Sequence, residues 1–271
     1  MTKKISGNIL INNQRRKFII GTGLTALTAS SKSFPSILVK KNHIQKVIVV
    51  GAGIVGSSIA YYLSKNGCEV TLIDKIGPAA QASGNSFAWL NASWSDKPTS
   101  YYDLRMASIY KYHQLSDDLD FPIHWGGALE WYHNKKDTSQ LLNGVNNLFQ
   151  PNNHTKIIDK KRAALIEPEL IPHSNNLSYS SSDGALDSVR AIQKMIRGTE
   201  YHGGKFMAPI QAKHIDITPK GPIVQTNLDN LQADLIVLAA GINVDQFKPI
   251  LNINKPLLQS STPGIIITTK P

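Results

Sequence analysis

The chain has 271 residues, of which 41% are hydrophobic, and a formal net charge of +10 at pH 7. This length accommodates one large domain or two small ones with an ordinary globular core. Residues 1–46 hold nine Lys and Arg and no Asp or Glu, whereas the remaining 225 residues hold 20 basic and 19 acidic side chains. The body therefore has no basic excess, and we expect no nucleic-acid partner. The single Cys68 excludes an internal disulfide and a cysteine-based metal cluster, and no metal site is expected.

The first 43 residues have the pattern of an export signal. Arg15 and Arg16 precede an apolar stretch at residues 18–29, which is shorter than the roughly 20 residues that span a membrane. A basic start, a short apolar region and small residues after it are typical of a signal peptide, and the arginine pair resembles the twin-arginine signal. We therefore expect residues 1–43 to be a leader for export to the periplasm, which could also attach the protein to the membrane. The alternative is a basic tail on a cytoplasmic protein.

The first predicted element of the body is a strand that runs into a glycine-rich turn. Residues 47–50 are continuous and β-branched, which is typical of a strand that is buried on both faces. Gly51, Gly53 and Gly56 follow in a G-x-G-x-x-G pattern. The first glycine allows the sharp turn, the second lets a pyrophosphate approach the backbone, and the third lets the next helix pack closely on the strand.

A helix, a second strand and a terminal acid complete this unit. We expect the helix at residues 57–66, with Gly67 just past its end, and the second strand at residues 69–73. Asp74 follows, 18 residues beyond Gly56, and an acidic group there accepts hydrogen bonds from a ribose diol. Because a helix N-terminus also presents oriented N–H groups to a pyrophosphate, the unit predicts a site for an adenine dinucleotide, either NAD or FAD.

Two later segments bear on which dinucleotide binds. Residues 77–94 are first small and polar and then aromatic, without the apolar periodicity of a core helix, so we expect a loop that wraps a ligand. This loop favours FAD over NAD. Residues 233–242 predict another buried strand that ends in Ala239, Ala240 and Gly241, whose small side chains let the backbone come close to a ligand.

The remaining elements are predicted from hydrophobic periodicity and from turn residues. In chain order they are an amphipathic helix at 101–119, a strand of a second layer at 124–133, short helices at 139–149 and 160–169, a helix that begins near Asp187 or Ser188 and ends at Gly203 and Gly204, paired strands at 205–226 that break at 219–221, and a strand at 263–271.

Taken in order, these motifs resemble the FAD-dependent oxidoreductases of the D-amino-acid oxidase and glycine oxidase family. The resemblance covers residues 46–271 and includes, besides the glycine-rich unit, ASGNSFAWLNAS at 82–93, WGGALEWY at 125–132, DGALDSVRAI at 183–192 and ADLIVLAAGI at 233–242. The last segment stands in the place of that superfamily's Ala-Thr-Gly signature, with Ala240 instead of the usual Thr.

The resemblance implies an α/β fold in which a Rossmann-like FAD-binding domain of the GR2 type carries an inserted, incomplete mixed-sheet substrate domain. The FAD-binding domain would comprise residues 44–122 and 179–248, and the substrate domain residues 123–178 and 249–271. The implied FAD-binding residues are Gly51, Gly53, Ile54, Val55, Gly56, Asp74, Lys75, Ser83, Gly84, Asn85, Ser86, Ile210, Ala239, Ala240 and Gly241. Among them, the backbone of Ile210 would contact the adenine.

The family's reaction is hydride transfer to the flavin from the carbon next to an amine, so the resemblance implies a small amine or amino acid as substrate. In this family a further C-terminal segment follows a strand such as 263–271 and commonly supplies an Arg for the substrate carboxylate. We therefore expect the chain to be C-terminally truncated. The alternative to an enzyme is a truncated, non-catalytic remnant or a partner subunit of one.

No catalytic residue is assigned from the sequence, and the oligomeric state stays open. His124 and Trp125 could shape a substrate pocket or could be an ordinary hydrogen-bonded histidine and a packed aromatic residue. Trp89, Asn91 and Trp94 leave the same choice open. Asp183 and Asp187 are interpreted as turn and cap residues rather than as acid–base groups.

Overall fold

The computed structural model describes residues 45–92, 99–147 and 154–251. The leader predicted at 1–43, the strand predicted at 263–271 and Trp94 lie outside these residues. The second substrate-domain segment, predicted at 249–271, is described only as far as Leu251. The predicted domain boundaries within the described ranges stay predictions.

The described chain contains both strands and helices, and five strands follow one another near its end. The strands are β1 (Lys46–Val50), β2 (Glu69–Ile73), β3 (Trp89–Leu90), β4 (Ile123–His124), β5 (Ala128–Glu130), β6 (Thr155–Asp159), β7 (Asn176–Ser180), β8 (Gly184–Leu186), β9 (Lys205–Met207), β10 (Ala212–Thr218), β11 (Gly221–Thr226), β12 (Asn230–Gln232) and β13 (Leu235–Leu238). The helices are α1 (Ile54–Lys65), α2 (Thr99–Leu119), α3 (Lys135–Asn147), α4 (Lys160–Ile166), α5 (Ser188–Tyr201) and α6 (Lys248–Leu251), with a 3-10 helix at Gly241–Phe247. None of the helices in the described ranges has the length and apolar character that crossing a bilayer requires.

A four-stranded parallel sheet forms the centre of the fold, with its strands in the order β13-β1-β2-β9. Side chains alternate along a strand, so Val47 and Val49 face one side of β1 and Ile48 and Val50 face the other. The first pair packs against α1 and α5, and the second pair packs against the antiparallel sheet β10-β11-β12. The prediction of a strand buried on both faces is therefore confirmed for β1. The β1-α1-β2 unit confirms the Rossmann-like α/β fold class.

Helix α5 covers the sheet together with α1. Its apolar residues recur at helical spacing, and Ala191, Ile192, Met195 and Ile196 are all buried. Asp187 caps its N-terminus by accepting a hydrogen bond from the main-chain N–H of Arg190 at 3.0 Å, as the sequence predicted.

Helix α1 begins earlier than predicted. It starts at Ile54 rather than at residue 57, because Gly53 takes an extended conformation and its carbonyl accepts the first helical bond from the N–H of Ser57 at 3.0 Å. The positive φ of Gly67, +87°, ends the helix as expected. The early start places the helix N-terminus directly at the glycine-rich turn.

The predicted single strand at 124–133 is wrong. The segment divides between two antiparallel sheets, because β4 pairs with β8 whereas β5 pairs with β7. Gly127 has a φ of +80° and breaks the segment, and its N–H donates to the carbonyl of Asp183 at 3.1 Å.

The predicted buried strand at 233–242 is shorter than expected. Only Leu235–Leu238 forms a strand, and the 3-10 helix begins at Gly241. Among the described strands, β13 is an edge strand of the central sheet. Its first residue, Leu235, is 36% exposed.

Candidate functional site

The glycine-rich turn lies between the carboxyl ends of β1, β2 and β13. Gly51 has a φ of +110°, and its N–H donates to the carbonyl of Ile73 at 2.8 Å. A Cβ at Gly51 would overlap the main-chain oxygen of Ala239, and a Cβ at Gly56 would overlap that of Gly51. Close packing inside the protein therefore requires glycine at both positions. Gly56 lets the start of the helix pack directly against the turn.

Gly53 is constrained from the other side of the turn. A Cβ there would lie 3.0 Å from the hydroxyl oxygen of Ser83. That hydroxyl accepts a hydrogen bond from the main-chain N–H of Ile54 at 3.1 Å, within the first turn of α1. The helix N-terminus is thus tied to the loop that follows β2.

Asp74 joins three backbone segments at the end of β2. One carboxylate oxygen accepts from the N–H of Ala52 at 2.8 Å, and the other accepts from Ile76 at 2.8 Å and from Gly77 at 3.0 Å. The main-chain carbonyl of Asp74 accepts from the N–H of Ile210 at 2.7 Å. The half-buried carboxylate therefore holds the glycine-rich turn against the start of the next loop.

The loop at residues 78–88 shapes its own backbone with small side chains. A Cβ at Gly84 would overlap the main-chain oxygen of Ala79. The side chain of Asn85 donates to the carbonyl of Gln81 at 2.9 Å, and the hydroxyl of Ser86 accepts from the N–H of Ala88 at 3.0 Å. These contacts explain why the segment forms a compact series of turns rather than a core helix.

The turn, Asp74, this loop and the end of β13 line a cleft that opens to solvent. Eleven of the fifteen predicted FAD-binding residues line it: Gly51, Gly53, Ile54, Val55, Asp74, Lys75, Ser83, Ile210, Ala239, Ala240 and Gly241. The other four, Gly56, Gly84, Asn85 and Ser86, are not among the lining residues and instead shape the turn and the loop around it.

The sequence interpretation missed a polar contact across the cleft. The side-chain amide of Asn243 donates to the side-chain oxygen of Gln81 at 3.0 Å, and both residues line the cleft with Gln211 and Gln246. Asn243 lies two residues beyond Gly241, which is the signal that could have pointed to it. Amide residues in polar loops are otherwise too common to single out.

A dinucleotide fits the chemistry of this cleft. Oriented N–H groups at a helix N-terminus suit a pyrophosphate, a carboxylate at the end of β2 suits a ribose diol, and Gly53 leaves the backbone without a side chain at the start of that helix. The glycine-rich turn also lies outside the carboxyl ends of parallel strands, where α/β proteins bind ligands.

The aromatic residues considered as pocket residues lie beyond this cleft. Trp89 donates its indole N–H to Asp183 at 3.0 Å. The ring of Trp125 stacks on His113 with a centroid distance of 3.9 Å and lies over Gly184, while His124 is exposed. The side-chain oxygen of Asn91 is buried and has no hydrogen-bond partner among the described residues. The structure does not bring these residues to the dinucleotide cleft.

Asp183 is not only a turn residue. It follows a turn, but its side chain is fully buried and accepts hydrogen bonds from Trp89, from the N–H of Ala92 at 3.3 Å and from the hydroxyl of Ser180 at 2.8 Å. Burial raises the pKa of the nearby Tyr102 phenol, and the negative charge of Asp183 makes a smaller contribution in the same direction.

The fold and the cleft define a dinucleotide-binding α/β protein. Residues 46–271 match the model of the DAO family, described as FAD dependent oxidoreductase. The match covers most of the chain, and the chain therefore belongs to this family. FAD is the cofactor of the family, which agrees with the preference for FAD over NAD drawn from the loop at 77–94.

Individual relatives are distant. A subunit of the opine oxidase of Rhizobium meliloti is 22% identical over 239 residues, which cover 82% of this chain and 62% of that protein. Glycine oxidase of Bacillus subtilis is 22% identical over 227 residues, which cover 80% of this chain and 59% of that protein. The crystal structure of glycine oxidase from Bacillus cereus superimposes with a TM-score of 0.70 at 19% identity, over 76% of this chain and 59% of that chain, and this likeness shows the fold. The chain thus spans between 59% and 62% of the length of these relatives.

Proposed function

We propose that this chain binds FAD in the cleft and oxidises the C–N bond of a small amine or amino acid. The observation that carries the proposal is the cleft itself. The glycine-rich turn, Asp74, the loop around Ser83 and the small residues Ala239 and Ala240 meet there, in a member of an FAD-dependent family.

Each part of the cleft has a binding role in this proposal. The N–H groups at the start of α1 bind the pyrophosphate, and Gly53 lets it reach the backbone. Asp74 accepts a hydrogen bond from the ribose, and the backbone near Ile210 borders the adenine. The amide pair of Gln81 and Asn243 joins the loop after β2 to the 3-10 helix and adds polar groups to the wall of the cleft.

Bound FAD would supply the redox chemistry, because its ring system takes up a hydride from the carbon next to the amine and leaves an imine that water hydrolyses. The choice of substrate class rests on the relatives, which include a glycine oxidase and a component of an opine oxidase. No described residue is assigned as a catalytic acid or base.

A second candidate is a partner subunit that binds FAD without oxidising the substrate by itself. Two relatives, from Rhizobium meliloti and Agrobacterium tumefaciens, are each named as one subunit of an opine oxidase, so a member of this family can belong to an assembly of several subunits. The two candidates make different predictions for the isolated chain, because only an enzyme transfers electrons from the substrate to its own flavin.

The first experiment measures FAD in purified wild-type protein and in Gly53→Val. We expect the wild type to carry FAD that acid releases completely, leaving colourless protein. Gly53→Val should lose it, because the branched side chain occupies the approach of the pyrophosphate. Gly144→Val is the matched control, since apart from the adjacent residues and the backbone of α3 itself no described atom lies within 4 Å of the Cβ position at Gly144. Equal FAD content in wild type and Gly53→Val would overturn the assignment of the cleft.

The second experiment adds amines and amino acids to the FAD-loaded wild type without oxygen. Loss of the visible absorbance of oxidised flavin with at least one substrate, and formation of the corresponding carbonyl product, would support the enzyme. A stable oxidised spectrum with every amino acid and secondary amine tested would reject the enzyme and favour the partner subunit.

A further inference from the structure

A second segment of the chain holds the cofactor loop from Ser83 to Ala92. This segment, residues 183–188, comprises β8 and the start of α5. The hydroxyl of Ser188 donates to the carbonyl of Ser83 at 2.7 Å, and the N–H of Leu186 donates to the carbonyl of Ala88 at 3.4 Å. Next along the loop, β3 pairs with β8 in an antiparallel register. The loop is therefore fixed along its length by one neighbouring segment of the chain.

Asp183 makes the last of these contacts, and among the residues that the structure describes it is the only charged side chain that is fully buried. One carboxylate oxygen accepts from the indole N–H of Trp89, and the other accepts from the N–H of Ala92 and the hydroxyl of Ser180. Burying a carboxylate is costly unless it is hydrogen-bonded, and hydrogen bonds to a charged group are stronger than those between neutral groups. Asp183 thus fixes both a side chain and the backbone at the end of the loop.

The same loop lines the dinucleotide cleft at its other end. Ser83 lines the cleft and accepts a hydrogen bond from Ile54 at the start of α1. The loop residues after Ser83 do not line the cleft themselves, but they continue the same loop as far as Trp89 and Ala92. The position of Trp89 and Ala92 therefore bears on how Ser83 and the cleft end of the loop are held.

We propose that Asp183 is a positioning residue for the cofactor, which acts by holding Trp89 and the backbone of Ala92 in place. The inference rests on the proposed binding of FAD in the cleft. It assigns to a buried carboxylate, outside the cleft, an effect on the affinity and the environment of the flavin.

The test compares Asp183→Asn with Trp89→Phe. Asn has the same shape, but its amide N–H₂ group cannot accept the indole hydrogen bond while its single oxygen serves Ala92. Trp89→Phe removes the donor and leaves Asp183 in place, so it keeps the test decisive even if Asp183→Asn does not fold. Asp187→Asn is the control, because the same chemical change at the cap of α5 retains a good N-cap residue.

The first readout needs no cofactor. In nitrogen-15 spectra the indole N–H signal of Trp89, identified by its loss in Trp89→Phe, should move upfield in Asp183→Asn and stay in place in Asp187→Asn. The second readout uses FAD. Both Asp183→Asn and Trp89→Phe should weaken FAD binding by roughly tenfold or more and change the visible circular dichroism of bound flavin, as expected for the loss of a hydrogen bond to a buried charge.

The outcomes separate this inference from the proposed function. Wild type that does not bind FAD would overturn both. Wild type that binds FAD, with Asp183→Asn and Trp89→Phe unchanged in affinity and in flavin dichroism, would overturn only the positioning role. A smaller effect of Asp183→Asn in the Trp89→Phe background than in the wild type would support it, because the two residues then act through one contact.

Discussion

The carboxylate of Asp74 has two tasks: it holds main-chain N–H groups of the protein, and in the proposed function it also binds the ribose. A carboxylate offers about four sites for hydrogen bonds, and the N–H groups of Ala52, Ile76 and Gly77 occupy three of them. The acidic residue at this position is therefore fixed by the protein before a ribose arrives. Its orientation does not have to be established at the time of binding, which lowers the entropic cost.

We expect Asp74→Ala to weaken FAD binding by about 1–3 kcal/mol, the usual cost of losing a hydrogen bond to a charged group. It should also lower the stability of the cofactor-free protein, because three N–H groups lose their acceptor. Titration of apoprotein with FAD measures the first effect, and urea unfolding of the apoprotein measures the second.

Asp234→Ala is the matched control for this prediction. Asp234 also accepts a main-chain hydrogen bond, from Lys46 at 2.8 Å, but it lies at the amino end of β1, away from the cleft. We expect it to lower stability without changing FAD affinity. If Asp74→Ala behaves in the same way as Asp234→Ala, Asp74 has only a structural role.

Much of the candidate site could be predicted because its residues belong to a recognisable pattern in the local sequence. Gly51, Gly53 and Asp74 follow from the order strand, turn, helix, strand and acid. The contacts of Asp183 with Trp89 and Ala92, and that of Gln81 with Asn243, could not be predicted, because they join residues 91–162 positions apart. A polar residue in a loop gives no local signal of a distant partner.

At the scale of elements, α5 was predicted well, α1 was predicted to start three residues too late, and the single strand predicted at 124–133 was wrong. The apolar residues of α5 have a helical period that a single segment reveals. The break at Gly127 depends instead on which neighbour each half of the segment pairs with, β8 or β7. Strand pairing is a tertiary property, so a continuous apolar run does not define it.

The packing of α5 on α1 gives a prediction about Gly198. A Cβ at this position would lie 2.8 Å from the ring of Tyr61 and 2.9 Å from Leu119. Replacing Gly by Ala in a helix normally stabilises by about 0.5–1 kcal/mol, but overpacking a tight contact costs about 1–3 kcal/mol. We therefore expect Gly198→Ala to destabilise the protein in urea unfolding.

Gly144→Ala provides the opposite case in α3. Apart from the adjacent residues and the backbone of α3 itself, no described atom lies within 4 Å of its Cβ position, so only the helix propensity changes and the variant should be slightly more stable than wild type. The packing of α1 on α5 predicts that the same Gly→Ala substitution changes the free energy of unfolding in opposite directions at positions 198 and 144. Stabilisation by Gly198→Ala would show that the two helices are less closely packed than the structure indicates.

At the scale of the whole molecule, the cleft is lined by segments that lie far apart in the sequence. Its wall includes the ends of β1, β2 and β13, the loop after β2, and Ile210 ahead of the β10-β11 hairpin. Because these segments come together only in the folded chain, a dinucleotide binds the native state and not the unfolded chain. Its binding free energy then adds to the stability of the fold.

We therefore expect FAD to raise the thermal unfolding midpoint of the apoprotein in a concentration-dependent manner. At 100 times the dissociation constant the added stability is about 2.7 kcal/mol, and each kcal/mol corresponds to about 2–4 °C for a domain of this size. The expected shift is thus roughly 5–11 °C. Differential scanning fluorimetry or calorimetry over a series of FAD concentrations measures it.

Two controls make this prediction specific to the cofactor and to the site. NAD at the same concentrations should give a much smaller shift, because the family uses FAD and the loop after β2 was interpreted as a flavin-binding loop. Gly53→Val should show no shift with FAD, since the pyrophosphate cannot reach the backbone. An equal shift with NAD would contradict the assignment of FAD, and an equal shift in Gly53→Val would place the binding elsewhere on the protein.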